Sequence, residues 1–230
     1  MGRLAQTLGR INTTCSHMYL NPTQENQQNF LCRLYFGASE DKLELIIQRA
    51  NLDFSRTVTG AAKYPNAHQS ASQLLRNEIS ALPNLASNVS QARFDEWHEK
   101  ICHSLCSEYS KAGYEHFYIG HAQKWLNMAM KYVYVIGEDR LRGYAPLYSM
   151  CHVPIDNIIL QSPQFKGLVA IEEAWSRISE YATYFAFQLA ARRKYPSWAP
   201  LAVEFWAWQG RNAAYHSLNR THCGGPSFGL

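Results

Sequence analysis

Residues 118–160 read YIGHAQKWLNMAMKYVYVIGEDRLRGYAPLYSMCHVPIDNIIL, and this stretch decides the fold that we expect. Its first part carries apolar residues at three- and four-residue spacing, at Ala122, Trp125, Leu126, Ala129, Met130 and Val133. The spacing predicts an α-helix that ends at Gly137, and its largely apolar circumference predicts a buried, central position. Two glycines and two prolines then predict a loop over 137–154, after which Asp156 stands where another helix would begin.

Most of the remaining chain has the same helical period. In 94–109 an apolar residue recurs at every fourth position, which predicts an amphipathic helix. Ser39, and either Ser70 or Ser72, are candidate N-caps of two further helices. The longest predicted helix runs from Glu172 to Arg192 and is followed by Pro196, and a last helix runs from near Pro200 to Gly210. One β-like string, 132–136, is overridden by the helical period, so we expect an all-α protein.

The composition predicts a folded protein without a membrane segment. The 230 residues are 47% hydrophobic and 13% aromatic, enough for a substantial core. The longest charge-free apolar stretch, 181–190, is too short to cross a bilayer, and 1–20 lacks the apolar middle of a signal peptide. We therefore expect a cytoplasmic protein with six reduced cysteines, one domain over 1–218 and a flexible tail over 219–230.

The charge of the chain is unevenly distributed. Residues 1–115 hold 11 basic and 11 acidic side chains, whereas residues 116–230 hold 11 basic and 7 acidic ones. The whole net charge of +4 therefore comes from the second half. Because phosphates are bound by clustered lysine and arginine, this asymmetry weakly favours a polyanionic partner for that half.

Two cysteine and histidine patterns are poor candidates for chemistry. His98, Cys102 and Cys106 follow one another at four-residue spacing, but the first and last of them lie roughly 12 Å apart along a helix. They are too far apart to share one zinc ion, so we expect buried thiols and no metal site. Cys151 and His152 are neighbours in sequence, and neighbouring side chains rarely face each other as a nucleophile and its base must.

Lys124 and Asp156 are the better candidates. Lys124 comes early in a strongly apolar helix, where an ammonium group is costly unless it has a partner or a role. Asp156 stands at a helix start, where free backbone N–H groups stabilise a carboxylate. Spacing leaves two interpretations open: Lys124 extends to solvent while Asp156 only caps its helix, or the two residues form one site.

A family resemblance favours the second interpretation. A lysine that opens a helix, a Met and a Lys-Tyr pair one to two turns later, and a loop that ends in Pro-Ile-Asp resemble the layout of helix-hairpin-helix DNA glycosylases. The interval of 32 residues between Lys124 and Asp156 is most similar to archaeal GO glycosylases and bacterial 8-oxoguanine glycosylase-like proteins. Pro200, Leu201, Trp206 and Gly210 resemble the C-terminal Pro-Leu to Trp segment of that branch, so the resemblance covers about 113–210.

The sequence departs from the family pattern at two points. The hairpin Gly-x-Gly is reduced to Tyr118-Ile119-Gly120, which weakens the expectation of phosphate binding through a glycine hairpin. The acidic residue that the family carries one turn before the tryptophan is absent at Ala202, although Glu204 is close by. This second departure leaves the recognition of an oxidised guanine open.

The resemblance implies a fold, a reaction and two catalytic residues. The fold would have two helical subdomains, about 1–112 and 113–218, with the active site between them. The protein would flip a modified base out of double-stranded DNA and cleave it from the sugar. Asp156 would stabilise positive charge on the sugar, and in lyase-competent members Lys124 would attack C1′ to form a Schiff base. No metal or organic cofactor is implied.

The resemblance also implies binding residues and a substrate. Trp206, Met128 and Lys131 would contact the extruded base or its surroundings. Six residues would contact the DNA backbone, namely Gly120, His121, Arg140, Arg142, Arg192 and Arg193. The family default is a monomer that excises 8-oxoguanine. One alternative is a modified, for example glucosylated hydroxymethyl, cytosine of phage DNA removed as antiviral defence; an alternative of another class is a non-catalytic helical protein that binds DNA or protein.

Overall fold

The computed structural model describes residues 23–84 and 89–208. Within these ranges the chain is mostly helical and has no β-strand, which confirms the predicted all-α class. The α-helices are α1 (Gln24–Phe36), α2 (Lys42–Leu52), α3 (Pro65–Ala81), α4 (Gln91–Lys111), α5 (Ile119–Ile136), α6 (Asn157–Gln161), α7 (Tyr181–Lys194) and α8 (Pro200–Trp208). Short 3-10 helices occur at Ser55–Thr57, Ala61–Lys63, Leu82–Asn84, Ala145–Met150 and Trp175–Arg177.

The chain divides into two compact units between Gly37 and Ala38. Helix α1 is the described part of the first unit. It begins with a reciprocal capping box, in which the Thr23 hydroxyl accepts from the Asn26 N–H and the Asn26 side chain accepts from the Thr23 N–H. Sequence analysis did not predict this helix, whose residues 24–29 are all polar and of which no residue is buried.

Helix α5 is the centre of the second unit. It packs against α2, α4, α7 and the 3-10 helix Trp175–Arg177, and each of residues 119–133 is buried. The prediction of a buried central helix is confirmed. Trp125, which is fully buried, stacks on His68 and donates its indole N–H to the carbonyl of Ile47, 3.0 Å away. A large aromatic ring with a satisfied polar atom thus ties α5 to α2.

The N-terminal side of this unit is built from α2, α3 and α4. The amphipathic helix predicted over 94–109 is confirmed as α4, which Ser90 caps. The predicted caps of the other two helices are wrong. Asp41, not Ser39, caps α2, because its carboxylate accepts from the Glu44 N–H. Helix α3 begins at Pro65, well before Ser70 and Ser72, since proline is favourable in a first helical turn.

The C-terminal side differs more from expectation. The helix predicted from Glu172 to Arg192 is wrong in its first part, since α7 begins only at Tyr181 and the longest described helix is α4. The physical reason is tertiary: the Ile178 carbonyl accepts from the N–H of Gly120 at the start of α5, 2.9 Å away, and Ile178 has non-helical backbone angles. The predicted loop 137–154 contains the 3-10 helix Ala145–Met150.

Three further predictions concern the chain ends and the domain boundary. Helix α8 begins at Pro200 as predicted and is described as far as Trp208, so Gly210 and the tail 219–230 lie outside the described residues. The predicted subdomain boundary at 112/113 falls in the turn between α4 and α5 and stays a prediction. Among the described helices, none combines the length and the apolar character that a membrane span requires.

Candidate active site

One face of α5 carries the three predicted site residues Lys124, Met128 and Lys131. Positions separated by four and seven residues share a helix face, and all three side chains are buried. The helix starts where the His121 ring nitrogen Nδ1 accepts from the Tyr118 N–H, 3.1 Å away, and ends at Gly137, whose φ of 90° suits glycine. Two ammonium groups are therefore held inside the protein and require acidic partners.

Lys124 finds its partner in Asp156. The Lys124 Nζ lies 2.6 Å from Asp156 Oδ2, and the two side chains are 4% and 13% exposed. The second oxygen of this carboxylate accepts from the Ile159 N–H, 2.9 Å away, so that Asp156 is also the N-cap of α6. The structure thus brings the two predicted catalytic residues into direct contact, and the prediction that a helix begins after Asp156 is confirmed.

Lys131 forms a second buried pair with Glu204. The Lys131 Nζ lies 2.7 Å from Glu204 Oε1, and the Glu204 side chain is fully buried. Burial raises the pKa of Glu204, an effect opposed first by Lys131 and then by Lys124, while Asp156 acts in the same direction as burial. The two pairs are therefore electrostatically coupled, and we refer to Lys124, Lys131, Asp156 and Glu204 as the four-charge cluster.

The aromatic residues near this cluster come from α8. The Lys131 Nζ lies 4.8 Å from the ring centre of Phe205 and 5.4 Å from that of Trp208, both within the range of cation–π contacts. Trp206, the predicted stacking residue, is half-buried, and its ring lies edge-on to Tyr195. Phe205 and Trp208 lie on the same helix as Trp206, and the stacking role predicted for Trp206 stays a prediction.

Two buried glutamines hold the segment that precedes Asp156. The Gln123 side chain accepts from the Ile155 N–H (3.0 Å) and donates to the Ile155 carbonyl (2.9 Å). The Gln188 side chain makes the same two contacts with Val153, both at 2.9 Å. Sequence analysis missed this role, although a glutamine in an apolar helix is a signal in itself, because a buried amide group needs hydrogen-bond partners.

A second polar cluster crosses the core beside the glutamines. His98 lies 2.9 Å from the Tyr181 hydroxyl and 3.0 Å from Asn127 Oδ1. His152 lies 2.8 Å from the Tyr184 hydroxyl and 2.7 Å from Asp95 Oδ1. Burial lowers the pKa of both histidines, and these hydrogen bonds satisfy their ring nitrogens. The cluster is thus a hydrogen-bonded element of the core.

Of the two thiols that were expected to be buried on α4, Cys102 is buried and Cys106 is half-buried. Cys102 is fully buried next to His98, and no group of three metal-ligating side chains is found in the part of the chain that the structure describes. Burial raises the pKa of the Cys151 thiol to about 12, and the thiol donates to the Leu147 carbonyl. His152 faces Asp95 and Tyr184 as described above, so Cys151 lacks the low pKa that a nucleophile needs.

The residues predicted to contact the DNA backbone are divided between surface and interior. Gly120 and His121 are buried, and the Gly120 N–H donates to Ile178, so this amide is not available to a phosphate. Arg192 donates two hydrogen bonds to Asp95. Arg140 is half-buried, whereas Arg142 and Arg193 are exposed. The structure therefore leaves the arginines outside the four-charge cluster.

Two cavities lie elsewhere in the second unit. One, of about 300 Å³, is lined by the C-terminal half of α5 and the following loop, including Met130, Tyr134 and Tyr148. The other, of about 410 Å³, is lined by residues of α2, α3 and α4, including Asn51, His68 and Tyr109. Neither is lined by Lys124 or Asp156, whose side chains are 4% and 13% exposed.

Comparisons with protein-family models, with characterised proteins and with solved structures gave no match to this chain. The residues and their geometry therefore carry the functional argument.

Proposed function

We propose that this protein is a DNA glycosylase that excises a modified base, with Lys124 and Asp156 as its catalytic residues. The contact of 2.6 Å between Lys124 Nζ and Asp156 Oδ2 is the observation that carries the proposal. The pair joins a lysine early in an apolar helix to an N-capping aspartate 32 residues later, which is the arrangement that the family resemblance implies. The proposal places this chain in the helix-hairpin-helix DNA glycosylase superfamily.

The chemistry follows from the two partners. Cleavage of the base–sugar bond creates positive charge on the sugar, which a nearby carboxylate stabilises. Asp156 accepts hydrogen bonds from both Lys124 and the Ile159 N–H, and these two contacts hold its carboxylate in position for this role. When the extruded nucleotide enters, the ammonium of Lys124 can pass a proton to the adjacent carboxylate, and its free amine then attacks C1′.

In this scheme the base leaves with the electrons of the glycosidic bond and takes up the proton that Lys124 passed to Asp156, which restores the carboxylate beside the positively charged sugar. The Lys124 nitrogen becomes bonded to C1′, and opening of the sugar ring gives a Schiff base that supports strand cleavage. Because Lys124 is 4% exposed, the nucleotide can reach it only if the ion pair separates locally. Binding of the extruded nucleotide must therefore compensate for the loss of this contact.

Borohydride trapping tests the proposal. The full chain is incubated with duplexes that carry 8-oxoguanine or a glucosylated hydroxymethylcytosine, and the mixture is then reduced. We expect a covalent protein–DNA adduct with one of these duplexes, and its loss in Lys124→Gln. Lys111→Gln is the matched control, because Lys111 is exposed at the end of α4 and pairs with Glu108 on the same helix.

The remaining outcomes separate the alternatives. Abasic sites without an adduct would indicate a glycosylase that lacks lyase activity, and Asp156→Asn should then abolish base release. Binding of the duplexes without abasic sites or adducts on any modified base would overturn the proposal and favour a non-catalytic DNA-binding protein. The base that is released decides between repair of oxidised guanine and removal of a modified phage cytosine.

A further inference from the structure

The segment Val153-Pro154-Ile155 is buried, although it has no regular secondary structure. Buried N–H and carbonyl groups outside helices and sheets must find other partners, since leaving one unpaired costs about 1–3 kcal/mol. Here the side chains of Gln123 and Gln188 supply these partners for Ile155 and Val153. Both glutamine side chains therefore substitute for a neighbouring strand.

The hydrogen-bonding capacity of Gln123 is fully used. Its amide nitrogen donates to the carbonyls of Ile155 and Gly120, 2.9 Å and 3.0 Å away. Its amide oxygen accepts from the Ile155 N–H and from Asn127 Nδ2, at 3.0 Å and 3.2 Å. An amide side chain has two donors and two acceptor sites, so the orientation of this one is determined by four contacts.

Adjacent residues of α5 thus hold adjacent residues of the segment. Gln123 binds the backbone of Ile155, and Lys124 binds the side chain of Asp156. We propose that Gln123 and Gln188 are positioning residues that hold Asp156 opposite Lys124, with Gln123 the more important because it contacts the residue next to Asp156. The expected effect on catalysis rests on the proposed function, whereas the positioning of Asp156 by the two glutamines does not depend on that function.

Hydrogen exchange tests the positioning role without any activity. The Ile159 N–H donates to Asp156, so its exchange rate reports where the aspartate side chain lies. In Gln123→Met we expect exchange at the Ile155 and Ile159 amides to rise by about ten-fold or more relative to the rest of the core. The matched variant Gln188→Met removes the same two kinds of hydrogen bond from Val153. In this variant the exchange rate should rise most at the Val153 amide and least at the Ile159 amide.

Single-turnover excision gives the catalytic readout at a temperature at which both variants are folded by circular dichroism. We expect Gln123→Met to lower the rate of base release by about ten-fold or more, with a smaller loss in Gln188→Met, because small displacements of catalytic groups cost large factors in rate. A uniform rise in exchange over all amides, or equal effects of the two variants at Ile159 and on base release, would overturn the inference.

The two proposals fail in different ways. If the wild-type chain releases no base but Gln123→Met selectively exposes the Ile159 amide, the positioning inference stands and the glycosylase proposal fails. If the wild-type chain is active while Gln123→Met leaves both Ile159 exchange and the excision rate unchanged, the positioning inference is wrong and the glycosylase proposal stands. If Gln123→Met does not fold, Gln123→Asn provides the same comparison with a shortened amide.

Discussion

Burial lowers the pKa of His121 to about 4, which makes the stability of the protein depend on pH in a defined direction. The imidazole packs among Phe54, Phe117 and Trp175 and is almost completely buried. An opposing effect, weaker than that of burial, comes from the backbone of Thr57. In the unfolded chain a histidine titrates near its ordinary pKa of about 6.5.

The direction and the magnitude of this pH dependence follow from the difference between the pKa values of His121 in the folded and unfolded states. Between pH 6.5 and 4 the unfolded state binds the proton and the folded state does not, so stability is full above pH 6.5 and falls as the pH decreases. Each pKa unit corresponds to about 1.4 kcal/mol, and the loss from this one group between pH 7.5 and 4.5 amounts to about 2.5 kcal/mol.

Urea unfolding of the wild type and of His121→Asn between pH 7.5 and 4.5 measures this contribution. Asparagine should preserve the acceptor for the Tyr118 N–H, since Asn26 accepts from the Thr23 N–H at the same helical position of α1. The variant should be less stable at pH 7.5, because its smaller side chain leaves space in the core. It should nevertheless lose about 2.5 kcal/mol less than the wild type on acidification, since it has no imidazole to protonate.

The other buried histidines and Asp95 are present in both proteins, so their contributions cancel in the comparison. His116→Asn, at an exposed position, controls for the removal of one histidine. Parallel pH dependences of the wild type and His121→Asn would refute the reasoning, because they would mean that His121 binds its proton equally in the folded and unfolded states.

Three further predictions test the packing around the site. Gly120→Ala should destabilise the protein by about 3 kcal/mol in thermal unfolding, because the new Cβ would lie 2.0 Å from the Trp175 carbonyl oxygen; an unchanged melting temperature would contradict this contact. Lys124→Met should cost about 3–5 kcal/mol in urea unfolding, and adding Asp156→Asn should recover part of this loss, since the unpaired buried carboxylate is then removed. Cys151 should react with iodoacetamide at pH 7.5 roughly three orders of magnitude more slowly in the folded than in the unfolded protein, because burial raises its thiol pKa to about 12. Peptide mass spectrometry measures the two rates, and equal rates would mean that the thiol is accessible in the folded protein.

Sequence alone determined the helical class and the centre of the second unit. The apolar spacing in α5 and the recurrence of an apolar residue at every fourth position in α4 depend only on the period of the helix. Such a pattern can be read within the segment itself. Asp156 was likewise recognisable as a helix start, because capping is a local interaction between a side chain and N–H groups three residues away. These features are encoded within one or two turns of chain.

Tertiary structure decided which side chains pair with one another at the candidate site. Whether Lys124 meets Asp156 depends on how the loop 137–154 returns to α5, and no local pattern contains that information. The same holds for the Lys131–Glu204 pair, whose members come from α5 and α8. It also holds for the hydrogen bonds of Gln123 and Gln188 to the backbone of residues 153–155. The late start of α7 has a similar cause, because Ile178 satisfies the Gly120 amide instead of continuing a helix.

The division has a physical reason. Helical period and capping are local, so their free energies are fixed by residues close in sequence. Buried charges and amides gain their partners only when distant segments pack, and the cost of leaving them unpaired then selects which segments can pack. Spacing in the sequence therefore left open whether Lys124 extends to solvent or forms one site with Asp156, and only the packing of α5 against the 153–156 segment decided that the two residues pair.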